Sequence, residues 1–422
     1  MRASLWRDRD FVRFWFGETI SLLGAQISAL AIPLTAIDVL GATEGDVGLL
    51  RFAQLAPFLF LALVFGVWVD RVHRRPVMIG ANLARLACLL ALPLLHWAGL
   101  LTLPLLIATA CLIGVATVAF DVSWMSFVPS LVPEKNRFPE ATARINASSS
   151  AADVAGPGAA GFLLSVVSAP TALLADAASY LVSIACLAGI RTQEPPVPPT
   201  RRRVGQELRE GLAWVWANPI LRWLAVVGFC VNLSMTAMWT MFLTFGAIDL
   251  DLSPGVLGLV FSAASCGGFV GALLAGPLTR RFAIGRLYVV FQTALLSAPI
   301  LIPLAGGSSP AGMVAVVAGF SISYFGLGVA NVIIVSLRQS VTPLWLMGRM
   351  TSVFRTLLFG GGAIGGLVAG ALSAGLGSHA GLLVVATASL LVVPILPFTP
   401  AARLAAYPAV EEVTVDELAA RR

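Results

Sequence analysis

Residues 102–127 read TLPLLIATACLIGVATVAFDVSWMSF, with a single charged side chain, Asp121. A helix rises about 1.5 Å per residue and a bilayer core is about 30 Å thick, so this stretch spans a membrane with length to spare. Eleven comparable apolar stretches accompany it, near 14–38, 47–69, 77–96, 146–168, 172–190, 220–247, 255–278, 287–304, 312–335, 352–374 and 381–398. Lipid offers no partners to backbone polar groups, and runs this long without period-two alternation exclude a transmembrane barrel. The expected fold is therefore an all-α integral membrane protein with 12 transmembrane helices in two pseudo-symmetric six-helix bundles. A composition of 58% hydrophobic and 11% charged residues, with mean hydropathy +0.90, excludes a water-soluble surface.

One long polar break divides the chain. It opens with Pro195, Pro196, Pro198 and Pro199, followed by Arg201, Arg202 and Arg203. The reading is a first bundle over 1–190, a cytoplasmic linker over 191–219, a second bundle over 220–400 and a cytoplasmic tail over 401–422. Within the linker, Val204, Leu208, Leu212 and Val215 recur at spacings of four, four and three, which predicts an amphipathic helix at the membrane surface. The halves repeat at an offset of 210 residues: Gly66, Asp70 and Arg71 fall on Gly276, Arg280 and Arg281, Gly156 on Gly366, and Pro133 on Pro343. Paired bundles imply a transporter with its binding site between them.

Of the 27 basic residues, all but Arg51 and Arg85 fall in the first 13 residues, alternate connections, their flanks or the tail. Both termini are then expected in the cytoplasm, and the net charge of +6 reflects topology rather than nucleic-acid binding. The first apolar run exceeds a signal core and lacks a small-residue cleavage site, so it is expected to remain as the first span. Cys88, Cys111, Cys186, Cys230 and Cys266 lie within spans, and His73, His96 and His379 are scattered. This pattern offers no metal site, no cofactor and no catalytic constellation for a membrane-embedded enzyme. No nucleotide-binding loop is present, so energy must come from an ion or substrate gradient.

An ionisable group inside a span requires a partner, neutralisation or water, which makes Glu18, Arg85, Asp121, Asp153 and Asp176 candidates. Glu18 heads a small polar stripe with Ser21, Ala25 and Ser28 that would face a central cavity. Removal from water favours the neutral carboxyl, allowing Glu18 to carry a proton; pairing at the interface with Arg13 or Arg85 is the alternative. Arg85 cannot lose its proton and needs a carboxylate or carbonyls. Asp153, four residues before Pro157, is a second proton-coupling candidate. Asp176 would start the sixth span, where the helix dipole favours an acid. Asp38 and Arg51 flank the first outer loop and could latch it.

The stretch Gly66-Val-Trp-Val-Asp70-Arg71-Val-His73-Arg74-Arg75 resembles the loop signature of the major facilitator superfamily, with His73 where a glycine is usual. The resemblance covers residues 10–400 and implies an inner gate. Asp70 would sit against the eleventh helix, beginning near Thr351, and Arg74 would bridge Asp70 to Asp121, with Arg71 and Arg75 completing the loop. Gly156-Pro157-Gly158-Ala-Ala-Gly161 is similar, with one departure, to the fifth-helix signature of antiporters in that family. Proline bends a helix while glycines permit tight packing at the bend. The segments from Glu210 to Arg222 and Asp176 to Tyr180, with Leu23-Gly24 and Gly348-Arg349, are similar to the bacterial macrolide, tetracycline and enterobactin efflux branch. That branch implies a monomer in the bacterial cytoplasmic membrane, and the arginine, alanine and glycine bias suggests a high-GC source.

The resemblance also implies that spans 1, 4, 7 and 10 border the substrate path. Besides Ser21 and Ser28, the expected cavity residues are Trp124, Asn232, Met235, Met238, Trp239, Phe242, Tyr324 and Asn331. Such a lining suits a bulky lipophilic molecule. The expected function is secondary efflux of a drug or natural product by alternating access in exchange for protons, with partners limited to substrate, protons and lipid. A siderophore or metabolite exporter, an uncoupled uniporter and a lipid flippase remain alternatives.

Overall fold

The computed structural model describes residues 5–69, 71–132, 137–192, 194, 204–305 and 309–408. Asp70, Pro133, the proline and arginine runs of the linker and the last part of the tail lie outside them. The first half comprises α1 (Arg9–Leu34), α2 (Glu44–Val69), α3 (Arg74–Trp97), α4 (Leu103–Leu131), α5 (Phe138–Val166) and α6 (Ala169–Ala188). Linker helix α7 (Val204–Ala217) follows. The second half comprises α8 (Pro219–Thr244), α9 (Pro254–Arg281), α10 (Ile284–Ser297) continuing into the short α11 (Leu301–Leu304), then α12 (Pro310–Ser340), α13 (Met347–Leu376) and α14 (Ser378–Leu390).

The repeat extends to local detail. Asp8 caps α1 and Asn218 caps α8, each side chain accepting from the N–H groups two and three residues on. Both helices end in a π turn, Thr35–Val39 and Phe245–Asp249. Every one of these pairs keeps the 210-residue offset.

Among the described residues, eleven helices are long and apolar enough to cross a membrane. The expected fifth span differs: it is a continuous helix of 29 residues, α5, yet it carries Arg144, Asn146, three consecutive serines and Asp153. Such a helix can turn little of its circumference to lipid, and α5 instead packs between α1 and α9.

The principal contacts between halves run along α2 with α13 and along α5 with α9. Both crossings occur at the end remote from the arginine-rich connections and depend on absent side chains. A methyl at Gly48 would stand 2.5 Å from the Gly370 backbone, and one at Gly258 would stand 2.3 Å from the Pro157 carbonyl. Gly45 and Gly255 continue these seams toward Gly370 and Gly161. Near the arginine-rich end of the same helices, a methyl at Gly66 or Gly276 would meet nothing within 4 Å. The halves therefore touch backbone to backbone at the remote end and stand apart at these two positions.

Linker helix α7 forms as expected, but its apolar residues part company. Val215 is buried against the second half, whereas Leu212 and Trp216 are exposed. Glu210 pairs with Arg349 at the start of α13, and Gly211 lies against the Arg349 backbone.

Replacing Gly48 or Gly258 by leucine should overpack a crossing at a cost of about 1–3 kcal/mol. Purified Gly48→Leu and Gly258→Leu proteins are expected to melt several degrees lower, whereas Gly66→Leu and Gly276→Leu melt close to the parent. Equal melting temperatures across the four would refute backbone contact at the remote end.

Candidate functional site

Two polar sites emerge, one inside the first half and one between the halves. In the first, α6 packs into a groove on α1 formed by Gly17, Ser21, Gly24 and Ser28. A methyl at Gly17 would lie 2.9 Å from Cys186 Cβ, and one at Gly24 would lie 2.4 Å from an Asp176 oxygen. Ser28 donates a hydrogen bond to Asp176, and Ser179 donates to another Asp176 carboxylate oxygen at 3.0 Å. The expectation that Ser21 and Ser28 line the cavity is corrected: both are buried, because alternating spacings of four and three keep them on the α6-facing side. Asp176 is likewise displaced from its expected position at a helix start. It lies well inside α6, 1% exposed, and hydroxyls rather than the helix dipole satisfy it.

Arg85 is 4% exposed on α3. Its guanidinium donates to Asn82 Oδ1 at 3.3 Å and lies 4.8 Å from the Phe120 ring and 5.3 Å from the Tyr180 ring. Asn82 in turn donates to Ser183 Oγ at 3.0 Å. The Glu18 carboxyl lies within electrostatic reach of both Arg85 and Asp121, and its Oε2 is buried with no hydrogen-bond partner. Two of the three coupling candidates, Glu18 and Arg85, thus influence each other electrostatically, while Asp153 belongs to the other site.

Asp121 marks the passage between halves. It accepts from Arg355 Nη2 of α13 at 2.6 Å, and the other Arg355 amino group lies 3.0 Å from Met125 Sδ. Beside it Phe58 of α2 stacks on Phe359 of α13, ring centroids 4.1 Å apart. The expected partner of Asp121 was Arg74, which is corrected here. The Arg74 and Arg75 N–H groups each donate to the Glu194 carboxylate at 2.7 Å, and the Arg75 side chain donates to the Leu187 and Ala188 carbonyls at 2.8 and 2.6 Å. The reason is local: the first N–H groups of α3 and last carbonyls of α6 lack intrahelical partners, and Glu194 with Arg75 satisfies both. Arg71 N donates to Trp68 O within the same turn at 3.0 Å. Asp70 lies outside the described residues. Sequence reading counted Arg355 only as a marker of topology, although its position inside the eleventh span could have singled it out.

The second site lies beneath the glycine crossings. Asp153 is exposed on α5 and accepts from the Gln26 amide Nε2 at 2.8 Å, with Gly156 leaving room for the Gln26 stem. Gly158 N donates to Ser262 Oγ of α9 at 2.7 Å, and Gly161 packs on Gly258, so the Gly156-Pro157-Gly158-Gly161 motif belongs to the crossing itself. Arg51, expected to latch the outer loop with Asp38, turns inward instead. It donates to Gln54 at 3.1 Å, and its guanidinium lies 5.0 Å from the Trp239 ring of the opposite half. Trp239 stacks on Phe261 at 5.2 Å. Tyr324 of α12 lies within electrostatic reach of both Arg51 and Asp153.

The remaining cavity candidates divide by exposure. Trp124, Asn232, Met235, Trp239 and Tyr324 are half-buried and Asn331 is exposed, whereas Met238 and Phe242 are buried in the core. Asn232 donates to the Gly228 carbonyl of its own helix at 3.0 Å, and Met235 Sδ accepts from Ser323 at 3.5 Å. Among the described residues no cluster of His, Cys, Asp or Glu could hold a metal ion.

Two repeated helix bundles meeting at a pair of glycine crossings, with charged side chains held between and within them, define a membrane transporter. The chain belongs to the Major Facilitator Superfamily, whose family model matches residues 14–366. It is 27% identical over 389 residues to the multidrug efflux pump Tap of Mycobacterium tuberculosis, covering 88% of each chain. It is 25% identical over 390 residues to the multi-drug resistance efflux pump PmrA of Streptococcus pneumoniae, covering 89% of this chain and 92% of that one. In fold it matches a bacterial homologue of the iron transporter ferroportin in an inward-facing state, with TM-score 0.71 at 16% identity over 93% of this chain and 98% of that one. The nucleoside transporter NupG matches with TM-score 0.68 at 12% identity over 92% of this chain and 98% of its own.

The Asp121–Arg355 contact is checked by a double-mutant cycle of Asp121→Asn and Arg355→Gln on thermal unfolding. Coupling of about 1 kcal/mol is expected for a partly exposed pair. Strict additivity would mean that the two do not meet in the resting protein.

Proposed function

We propose that this transporter is a secondary efflux pump of the bacterial cytoplasmic membrane, exporting a lipophilic small molecule by alternating access in exchange for protons. It works as a monomer with both termini in the cytoplasm. The homology to multidrug efflux pumps supports the direction of transport, and the arginine bias supports the orientation. The observation that supports proton exchange is the Glu18 carboxyl, with Oε2 buried and unpartnered and with Asp121 and Arg85 acting on it electrostatically.

In this reading Glu18 and the Asp121–Arg355 pair are linked through charge. As an anion, Glu18 adds to the negative potential that holds Arg355 against the first half and keeps the cytoplasmic passage shut. A proton arriving from outside removes that charge, loosens Arg355 and favours reopening inward, where the proton leaves and substrate binds. Arg85, fixed by Asn82 and two rings, supplies the constant positive charge that lets Glu18 release the proton. Each group need shift the balance by only a few kcal/mol. Asp153, in the cavity, is assigned to the substrate, with Trp239, Tyr324, Trp124, Asn232, Met235 and Asn331 around the path.

Everted membrane vesicles test the assignment. Glu18→Gln should abolish uptake driven by a pH gradient while leaving exchange of labelled for unlabelled substrate within about threefold of the parent. Proton-driven uptake surviving in Glu18→Gln would show that another group carries the proton.

A further inference from the structure

Arg51 is the basic residue that neither topology nor internal packing explains. The other basic residue remote from the arginine-rich segments, Arg85, is enclosed by Asn82, Phe120 and Tyr180 within its own half. Arg51 instead reaches across the seam to lie over Trp239, and of its donors Nε is buried with no acceptor. An unmet buried donor costs about 1–3 kcal/mol, and arginine cannot relieve that by losing its proton.

At the seam of α5 with α9, Asp153 of α5 has one oxygen bonded to Gln26. Tyr324 senses both charges, yet among the described residues no ion pair joins Arg51 to Asp153. Each charge is steadied by a neutral glutamine, Gln54 or Gln26, rather than by its opposite. Opposite charges kept apart at one seam leave a positive and a negative pole for a ligand. Beside the positive pole the Trp239 ring, held between Arg51 and Phe261, supplies an apolar edge.

We propose that this seam selects dipolar amphipathic molecules. A carboxylate or similar oxygen anion on the ligand meets Arg51, a cationic nitrogen meets Asp153, and the apolar body packs against the edge of Trp239. This rests on the efflux reading of the same cavity and narrows its substrate class from lipophilic molecules in general to those bearing both charges. Arg51 is the residue that discriminates.

Three dyes of one ring system test it with purified protein by fluorescence anisotropy: rhodamine B, a zwitterion; its ethyl ester, a cation only; and fluorescein, an anion. Rhodamine B is expected to bind at least tenfold tighter than either of the others. Arg51→Gln should bring rhodamine B down to the affinity of the ester and leave the ester within twofold. Asp153→Asn should weaken both rhodamine B and the ester, leaving their ratio unchanged. An ester that binds the parent protein as well as rhodamine B does, or a preference that survives Arg51→Gln, overturns the proposal. Should Arg51→Gln no longer bind the ester, indicating a lost fold, Arg51→Lys replaces it. Lysine keeps the charge but not the planar donor fork and must lower the preference at least threefold; an unchanged preference overturns the proposal. Efflux of the ester from loaded vesicles checks the export reading separately, because a pump that moves the ester without preferring the zwitterion retains that reading and loses this one.

Discussion

The two crossings where glycine backbones meet across the seam hold this architecture together. A bilayer supplies no hydrophobic force between helices, so the halves must cohere through close packing and polar contacts. Gly48 on Gly370 and Gly258 on Pro157 supply that packing, related by the internal repeat. Both lie at one end, and the Arg355 contact with Asp121 joins the halves away from those crossings through a partly exposed side-chain pair rather than through backbone packing.

The two polar sites differ in the way their charges are satisfied. Inside the first half, Asp176 is bonded to Ser28 and Ser179, and Arg85 is held in place by an amide and two rings, so both charges are satisfied within that half. Glu18 and Asp121 stand at the edge of that cluster, one with an unmet oxygen and the other engaged across the seam. Between the halves, Arg51 and Asp153 face each other's surroundings without pairing.

Much of the fold was legible in the chain. Hydropathy located the spans, arginine placement ordered their ends, and the 210-residue offset announced the repeat. The same offset relates Gly45 and Gly48 to Gly255 and Gly258, a signal that was present but unread because glycines abound in such sequences. The fifth span was placed correctly while its polarity was overlooked. The partners of charged residues were not legible: the family resemblance put Arg74 with Asp121, and flanking the same loop put Arg51 with Asp38, and neither pairing forms.

The sequence by itself determined the all-helical class, eleven of the twelve expected spans, and the repeat at an offset of 210 residues. Those follow from the absence of backbone partners in lipid, a constraint that acts on each segment alone. Tertiary structure decided which face of each helix looks inward, and hence that Ser21 and Ser28 serve packing while Arg51 reaches across the seam. It also decided that Asp121 bonds across the seam. Helix rotation is set jointly by every neighbouring surface, through side chains far apart in the chain, so no single segment carries that information.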